Sequence, residues 1–245
     1  MSGHSKWSTI KRQKGAADQK RGAIFTKMAK NITVAARDGG GDPDTNFKLK
    51  VAIDKARSVN TPKDNIERAI KKGTGELKGD TIEEIVYEAF GPSNSFFVVE
   101  ALTDNKNRSV SEIRHIFSKA GGSLGGPNSV MWQFERKGVI RIEDYKNKIK
   151  DKDELELELI DFGLEDIIIE ENDLIIYTKV ENFQKTREEL DKKNIIVNYA
   201  ELEYVPKEEK EITDNKEKEK FQKLFEALDD NDDVNNFYTN ADIEL

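Results

Sequence analysis

Apolar positions in the first third of the chain recur every three to four residues. Ile24, Met28, Ile32 and Ala35 fall at i, i+4, i+8 and i+11, a helical stripe that begins near Asp18. Lys20, Arg21, Lys27 and Lys30 are spread around the rest of that helix. Gly39-Gly40-Gly41 ends it, and Asp42-Pro43 opens the next, with Asp as cap and Pro in the first turn. The glycine triplet also suits phosphate binding through backbone amides, but a simple turn accounts for it. The second helix points Leu49, Ile53 and Ala56 inward and Lys48, Lys50, Lys55 and Arg57 outward. Thr61-Pro62-Lys63-Asp64 predicts a third, with Thr61 as cap, Pro62 in first position and Asp64 as the capping-box acid. Ile66, Ala69 and Ile70 form its buried face and Gly73 stops it. Residues 18–73 therefore read as a three-helix bundle with a basic exterior, followed by a linker through Lys78.

The period then changes. Residues 85–90 and 96–102 read as strands around the turn Gly91-Pro92-Ser93-Asn94. Residues 104–108 read as a polar loop, and Val110, Ile113, Phe117 and Ala120 mark a helix closed by Gly121-Gly122. Strands recur at 130–134 and 139–142, separated by Lys137-Gly138, and at 167–169 and 174–177 around a turn at 170–173. Val180, Phe183, Arg187 and Leu190 predict a helix and 195–205 a strand. In between, Leu155, Leu157 and Leu159 alternate with glutamates, yet Leu155, Leu159 and Phe162 also fit a helix. Helix is preferred, with Asp153 to cap it and Gly163 to end it. Residues 206–220 are a charged linker into a helix carrying Phe221, Leu224, Phe225 and Leu228, and 234–238 form a last strand. This order predicts an α+β multidomain protein: a basic tail and bundle at 1–78, an α+β domain at 79–130 plus 206–245, and an inserted α+β domain at 131–205, both of ferredoxin-like type.

Charge separates the bundle from the rest of the chain. Residues 1–37 hold nine Lys and Arg against one acid, Asp18, a net +8. Residues 1–78 carry +10 and residues 79–245 carry −18, within a 245-residue chain of net −8. Such a reversal suggests a basic head for a polyanion and acidic modules with protein partners. Ser5, Trp7, Ser8 and Thr9 lie among the charges before any period begins, which suits phosphate contact and base stacking better than a merely solvated face. The candidate nucleic-acid contacts are His4, Lys6, Trp7, Lys11, Arg12, Lys14, Lys20, Arg21, Lys27 and Lys30. The chain has no cysteine, which excludes disulfides, thiolate metal sites and a cysteine nucleophile and fits a reducing cytoplasm. No apolar run approaches the ~20 residues of a membrane span. The start has no apolar core, so it does not read as a secretory signal. Its basic, acid-poor composition also suits a transit peptide, but the basic pattern runs straight into the first helix.

Catalytic motifs are weak. Gly121-Gly122-Ser123-Leu124-Gly125 matches the nucleophile elbow, but a helix precedes it, and His4 and His115 both come before the serine. Asp229, Asn231 and Asp233 have the spacing of calcium ligands, yet Val234 stands where that loop needs Gly and Asn240 where it needs Glu. They read as an acidic turn. His115, without a matching partner, reads as structural. The expectation is a protein that is not an enzyme and uses no cofactor or metal.

Several motifs are similar to those of the YebC family of probable transcriptional regulatory proteins. They are Gly3-His4-Ser5-Lys6-Trp7, Lys20-Arg21-Gly22 with Ile24-Phe25-Thr26-Lys27, Gly39-Gly40-Gly41-Asp42-Pro43 and Pro62-Lys63-Asp64-Asn65-Ile66. Tyr87-Glu88 with Gly91-Pro92, and Asn107-Arg108-Ser109-Val110 with Glu112-Ile113-Arg114-His115, extend the match. Gln13 and Ala23 depart from it where basic residues are expected, as does Phe47-Lys48-Leu49-Lys50 where Pro-Arg-Leu-Arg is commoner. The resemblance implies a helical N-terminal domain, two α+β domains with one inserted in the other, and a cytoplasmic DNA-binding regulator. Mitochondrial relatives are described as translational activators, and bacterial ones are linked to stalled ribosomes. The expected partner is therefore DNA, the alternative ribosomal RNA on the ribosome. The oligomeric state is left open.

Overall fold

The three apolar stripes become helices α1 (Asp18–Gly39), α2 (Phe47–Ser58) and α3 (Lys63–Gly73) in a computed structural model that describes residues 18–79 and 81–243. Met28, Ile32, Ala35 and Ala36 of α1, Leu49, Ile53 and Ala56 of α2, and Ile66 and Ala69 of α3 form one buried cluster. Helix α1 buries its stripe against both α2 and α3, because none of the three is apolar enough to hold alone in water. Gly73 permits close approach: a Cβ there would stand 2.7 Å from Ala36 Cβ. Beside it Thr33 Oγ1 donates to the Ala69 carbonyl at 3.1 Å.

Two caps differ from expectation. Asp42 does not cap α2; its side chain accepts from Asp44 N in a turn that holds Pro43. Asn46 is the cap. Its Oδ1 accepts from Leu49 N at 3.0 Å, while its Nδ2 donates to the Ala35 and Gly40 carbonyls, both at 2.8 Å. An amide serves the end of one helix and the start of the next, which a carboxylate without a donor cannot do. Thr61 does not cap α3 either. Pro62, with ψ 139°, is still extended and occupies the cap position, so the buried Thr61 hydroxyl lies one residue too early and has no hydrogen-bond partner.

The remaining elements in chain order are β1 (Glu83–Phe90), β2 (Phe96–Thr103), α4 (Lys106–Lys119), β3 (Ser123–Leu124), β4 (Phe134–Ile142), α5 (Tyr145–Lys148), α6 (Lys152–Ile160), β5 (Leu164–Glu170), β6 (Asp173–Lys179), α7 (Phe183–Lys192), β7 (Tyr199–Pro206), β8 (Lys210–Glu211), α8 (Asn215–Asp229), β9 (Val234–Thr239) and β10 (Ala241–Asp242). This is an α+β multidomain architecture. The chain divides into two compact units, residues 134–207 and the described residues on either side of them.

In the flanking unit the strand order is β3-β1-β2-β9, all antiparallel, with the β1–β2 hairpin at the centre and each outer strand preceded by a helix. Phe97, Phe117, Phe221 and Phe225 meet in the core between this sheet and helices α4 and α8. The carboxylate of Glu88, on β1, is buried and accepts from three backbone amides, Asn128, Val130 and Met131, at 2.6 to 2.8 Å. The two-residue strands β8 and β10 pair in parallel; no periodicity marks so short an element. Ser123 of the elbow-like motif sits in β3, paired with Phe90, and not at a strand-to-helix turn. Residues 104–108 are not all loop: Asn105 caps α4, accepting from Asn107 N and Arg108 N.

In the unit of residues 134–207 the order is β5-β6-β4-β7, again antiparallel, with the β-α-β-β-α-β connectivity of ferredoxin-like folds. Residues 131–133 form a 3-10 turn, and the two strands expected at 130–134 and 139–142 are one strand, β4. Gly138 does not break it. A Cβ there would lie 2.5 Å from Phe183 Cδ2 and nearer still to Thr178 Oγ1, so glycine marks the close approach of α7 to the sheet. The ambiguous leucine segment is helix α6, capped by Asp151 in place of Asp153, with Gly163 at φ +87° just beyond its end. The strand expected at 195–205 begins only at Tyr199.

Candidate nucleic-acid interface

His4, Lys6, Trp7, Lys11, Arg12 and Lys14 lie outside the described residues. Lys20 and Arg21 stand in the first turn of α1. Lys27 and Lys30 stand in its third and fourth turns, and both ammonium groups are engaged within the protein. Lys27 Nζ donates to the Asp229 carbonyl at 2.6 Å. Lys30 Nζ donates to the Asp233 carboxylate at 2.8 Å and to the Leu102 and Asp232 carbonyls at 3.0 and 2.9 Å. On the same side of α1, Asn31 Nδ2 donates to Asn235 Oδ1 at 2.6 Å. The middle of α1 is thereby fastened to the end of β2 and to the segment that joins α8 to β9.

Asp233 is the centre of this attachment and only 2% exposed. Besides Lys30 it accepts from Arg108 Nη2 at 2.8 Å and Thr103 Oγ1 at 3.0 Å. Burial pushes its carboxyl up, but the hydrogen bonds from Lys30 and Arg108 outweigh burial and hold it below the ordinary carboxylate value. Arg108 is raised in turn, first by its hydrogen bond to Asp233. Asn231, next in the acidic turn, accepts from Asp233 N and Val234 N and so shapes the turn that presents the carboxylate. Asp233 through its carboxylate, and residue 229 through its backbone carbonyl, therefore serve the helix of the basic region. No local signal in the sequence points to this, because the paired residues lie 125 to 203 positions apart.

Other cations of the bundle are also paired. Lys48 Nζ bridges Asp38 and Glu84 at 2.8 and 3.0 Å. Burial lowers its pKa, and the hydrogen bonds to those two acids raise it by more. Arg37 bonds Asp38 and the Ile82 carbonyl. Lys50, Arg68, Lys71 and Lys72 are exposed and make no side-chain ion pair among the described residues. His115, expected to be structural, is exposed on α4. No helix among the described residues is long and apolar enough to cross a membrane.

Residues 5–76 match the family model described as the TACO1/YebC protein N-terminal domain, and residues 82–241 match the TACO1/YebC second and third domain. A protein of Thermoanaerobacter pseudethanolicus named "probable transcriptional regulatory protein" is 49% identical, covering all of this chain and 98% of that one. A protein of Caldanaerobacter subterraneus with the same description is 47% identical over all of this chain and 99% of its own. The crystal structure of a conserved hypothetical protein from Aquifex aeolicus superimposes with a TM-score of 0.81 at 40% identity, covering 93% of each chain.

Proposed function

The chain belongs to the TACO1/YebC family, and from that premise we propose that it is a cytoplasmic transcriptional regulatory protein that binds DNA through its basic N-terminal region. The observation that carries this reading is the division of charge, +10 over residues 1–78 against −18 over the rest. His4, Lys6, Lys11, Arg12, Lys14, Lys20 and Arg21 contact phosphates, and Trp7 adds a stack where a base is unpaired. Lys27 and Lys30 act differently: engaged with the Asp229 carbonyl and the Asp233 carboxylate, they hold α1 in place.

A second reading is a translation factor docked on ribosomal RNA. It is favoured by one observation: the basic head contains no recognised base-reading motif, and a ribosome-docked protein needs none. Competition binding separates the two. A labelled promoter fragment is challenged with random DNA and with purified ribosomes at one fixed salt concentration. DNA binding with less than ~100-fold promoter preference is the expected result, since backbone contacts carry little sequence information. Efficient competition by ribosomes but not by random DNA would replace the regulator with the translation factor.

A further inference from the structure

We propose that the outer face of α4 is a second phosphate-contacting surface, which takes the backbone of the same duplex DNA that the head binds; this rests on the DNA reading above. The helix is an exception in its surroundings. Residues 79–245 carry −18, yet α4 holds Lys106, Arg108, Arg114 and Lys119 against the one acid Glu112. Ser109, Ile113 and Phe117 are buried, which turns Asn107, Ser111, Arg114 and Ser118 outward at i, i+4, i+7 and i+11, with His115 and Lys119 beside them.

Four lysines on other helices find acids one turn away, Lys63–Glu67 at 3.5 Å, Lys152–Glu156 at 2.8 Å, Lys192–Glu189 at 3.2 Å and Lys220–Glu217 at 2.6 Å, although Lys50, Lys71 and Lys72 do not. Arg114 instead has Val110, Ser111, Phe117 and Ser118 at those positions, and Lys119 is preceded by His115 and Ile116. Arg114, His115 and Lys119 make no hydrogen bond or ion pair through their side chains among the described residues. The one acid on the helix, Glu112, accepts from Asn231 Nδ2 at 2.9 Å. At the start of the helix Lys106 pairs with Glu83, and Arg108 with Asp104 and Asp233, so phosphate contact falls to the last two turns.

Two features favour nucleic acid over an acidic protein segment. Short side chains surround the cations: Ser118 offers a hydroxyl, and Ser111, folded back onto the Asn107 carbonyl at 2.8 Å, keeps the surface low enough for a backbone to approach. The face is also continuous with the basic region. Arg108 of α4 and Lys30 of α1 share the Asp233 carboxylate at 2.8 Å each, inside one compact unit. At 1.5 Å per residue the last two turns of α4 span about 12 Å, the rise of about three base pairs, enough for two phosphate contacts along one strand.

The test measures affinity for a random-sequence duplex against salt concentration, using the full chain, Arg114→Gln/Lys119→Gln, Arg114→Lys/Lys119→Arg, and the head variant Lys11→Glu/Arg12→Glu/Lys14→Glu. Loss of two phosphate contacts makes the slope of log affinity against log salt shallower by about 1.8, and the charge-conserving pair keeps the parental slope. Both positions are exposed, so the melting temperature stays at the parental value. An unchanged slope in the glutamine pair, with binding lost in the head variant, overturns the α4 surface alone and leaves it to an acidic protein partner. Failure of the charge-conserving pair to retain the slope also overturns it. If the parent itself shows no salt-dependent duplex binding, the DNA reading falls with it.

Discussion

Lys30 and Asp233 lie 203 residues apart and are joined by a 2.8 Å ion pair in which the carboxylate is 2% exposed. This contact makes the direction of α1 a property of the last quarter of the chain. Arg108 and Thr103 complete the ring of donors around the same carboxylate.

Asp233→Ala removes the acceptor and leaves two cations facing each other, at a cost of about 3 kcal/mol. Urea denaturation followed by tryptophan fluorescence measures it. A loss below about 0.5 kcal/mol, the size of an ordinary surface substitution, would show that Asp233 does not hold α1.

The same residue sets a pH dependence. The carboxyl of Asp233 is held below its ordinary value in the folded chain. Its contribution is therefore complete above the unfolded value of about 3.9 and is lost as pH falls through the lower, folded value. Asp233→Asn has no such component. The stability difference between parent and Asp233→Asn should be constant above about pH 5 and shrink in stronger acid. A difference that grows on acidification would reverse the assigned sign.

Gly138→Ala places a methyl 2.5 Å from Phe183 Cδ2. Because strand β4 and helix α7 are both anchored in the sheet unit, neither yields freely, and the substitution should cost about 1–3 kcal/mol. The measurement is the thermal melt of the parent and the variant. An unchanged melt would mean that α7 moves away from β4 at no cost.

Residues 134–207 have a complete four-stranded sheet with helices α6 and α7 tied by Lys193–Glu158 at 2.6 Å. We propose that this segment is an inserted domain that folds on its own. A fragment of residues 134–207 should melt in one cooperative transition, observed by circular dichroism. A fragment without a transition would show that the segment depends on the residues around it.

The bundle, the hairpin at 83–103 and the helices with clean stripes were legible from residue order because side-chain period is a local property of helix and strand. Residues 152–160 are also legible as a helix, since a nearby aspartate can cap it and Gly163 can end it. The cap of α2 was not legible. Asp42 has the right residue type, but Asn46 also bonds the Ala35 and Gly40 carbonyls, and that gain exists only once α1 and α2 are packed. Gly138 looks like a break in a strand until Phe183 is seen to lie against it. The charge reversal, and with it the case for a basic head, is a count along the chain and needs no coordinates.

Thus the amino-acid order by itself determined the longer helices, their buried faces and the division into basic and acidic regions, all of which depend on neighbours a few positions away. Tertiary structure alone decided which charges are free. Lys30 meets the Asp233 carboxylate and Lys27 the residue 229 carbonyl, while Arg114 and Lys119 remain open on a helix in the acidic part. The reason is that an ion pair is a short-range contact between side chains, and which side chains come within reach is settled by how the helices pack on the sheet.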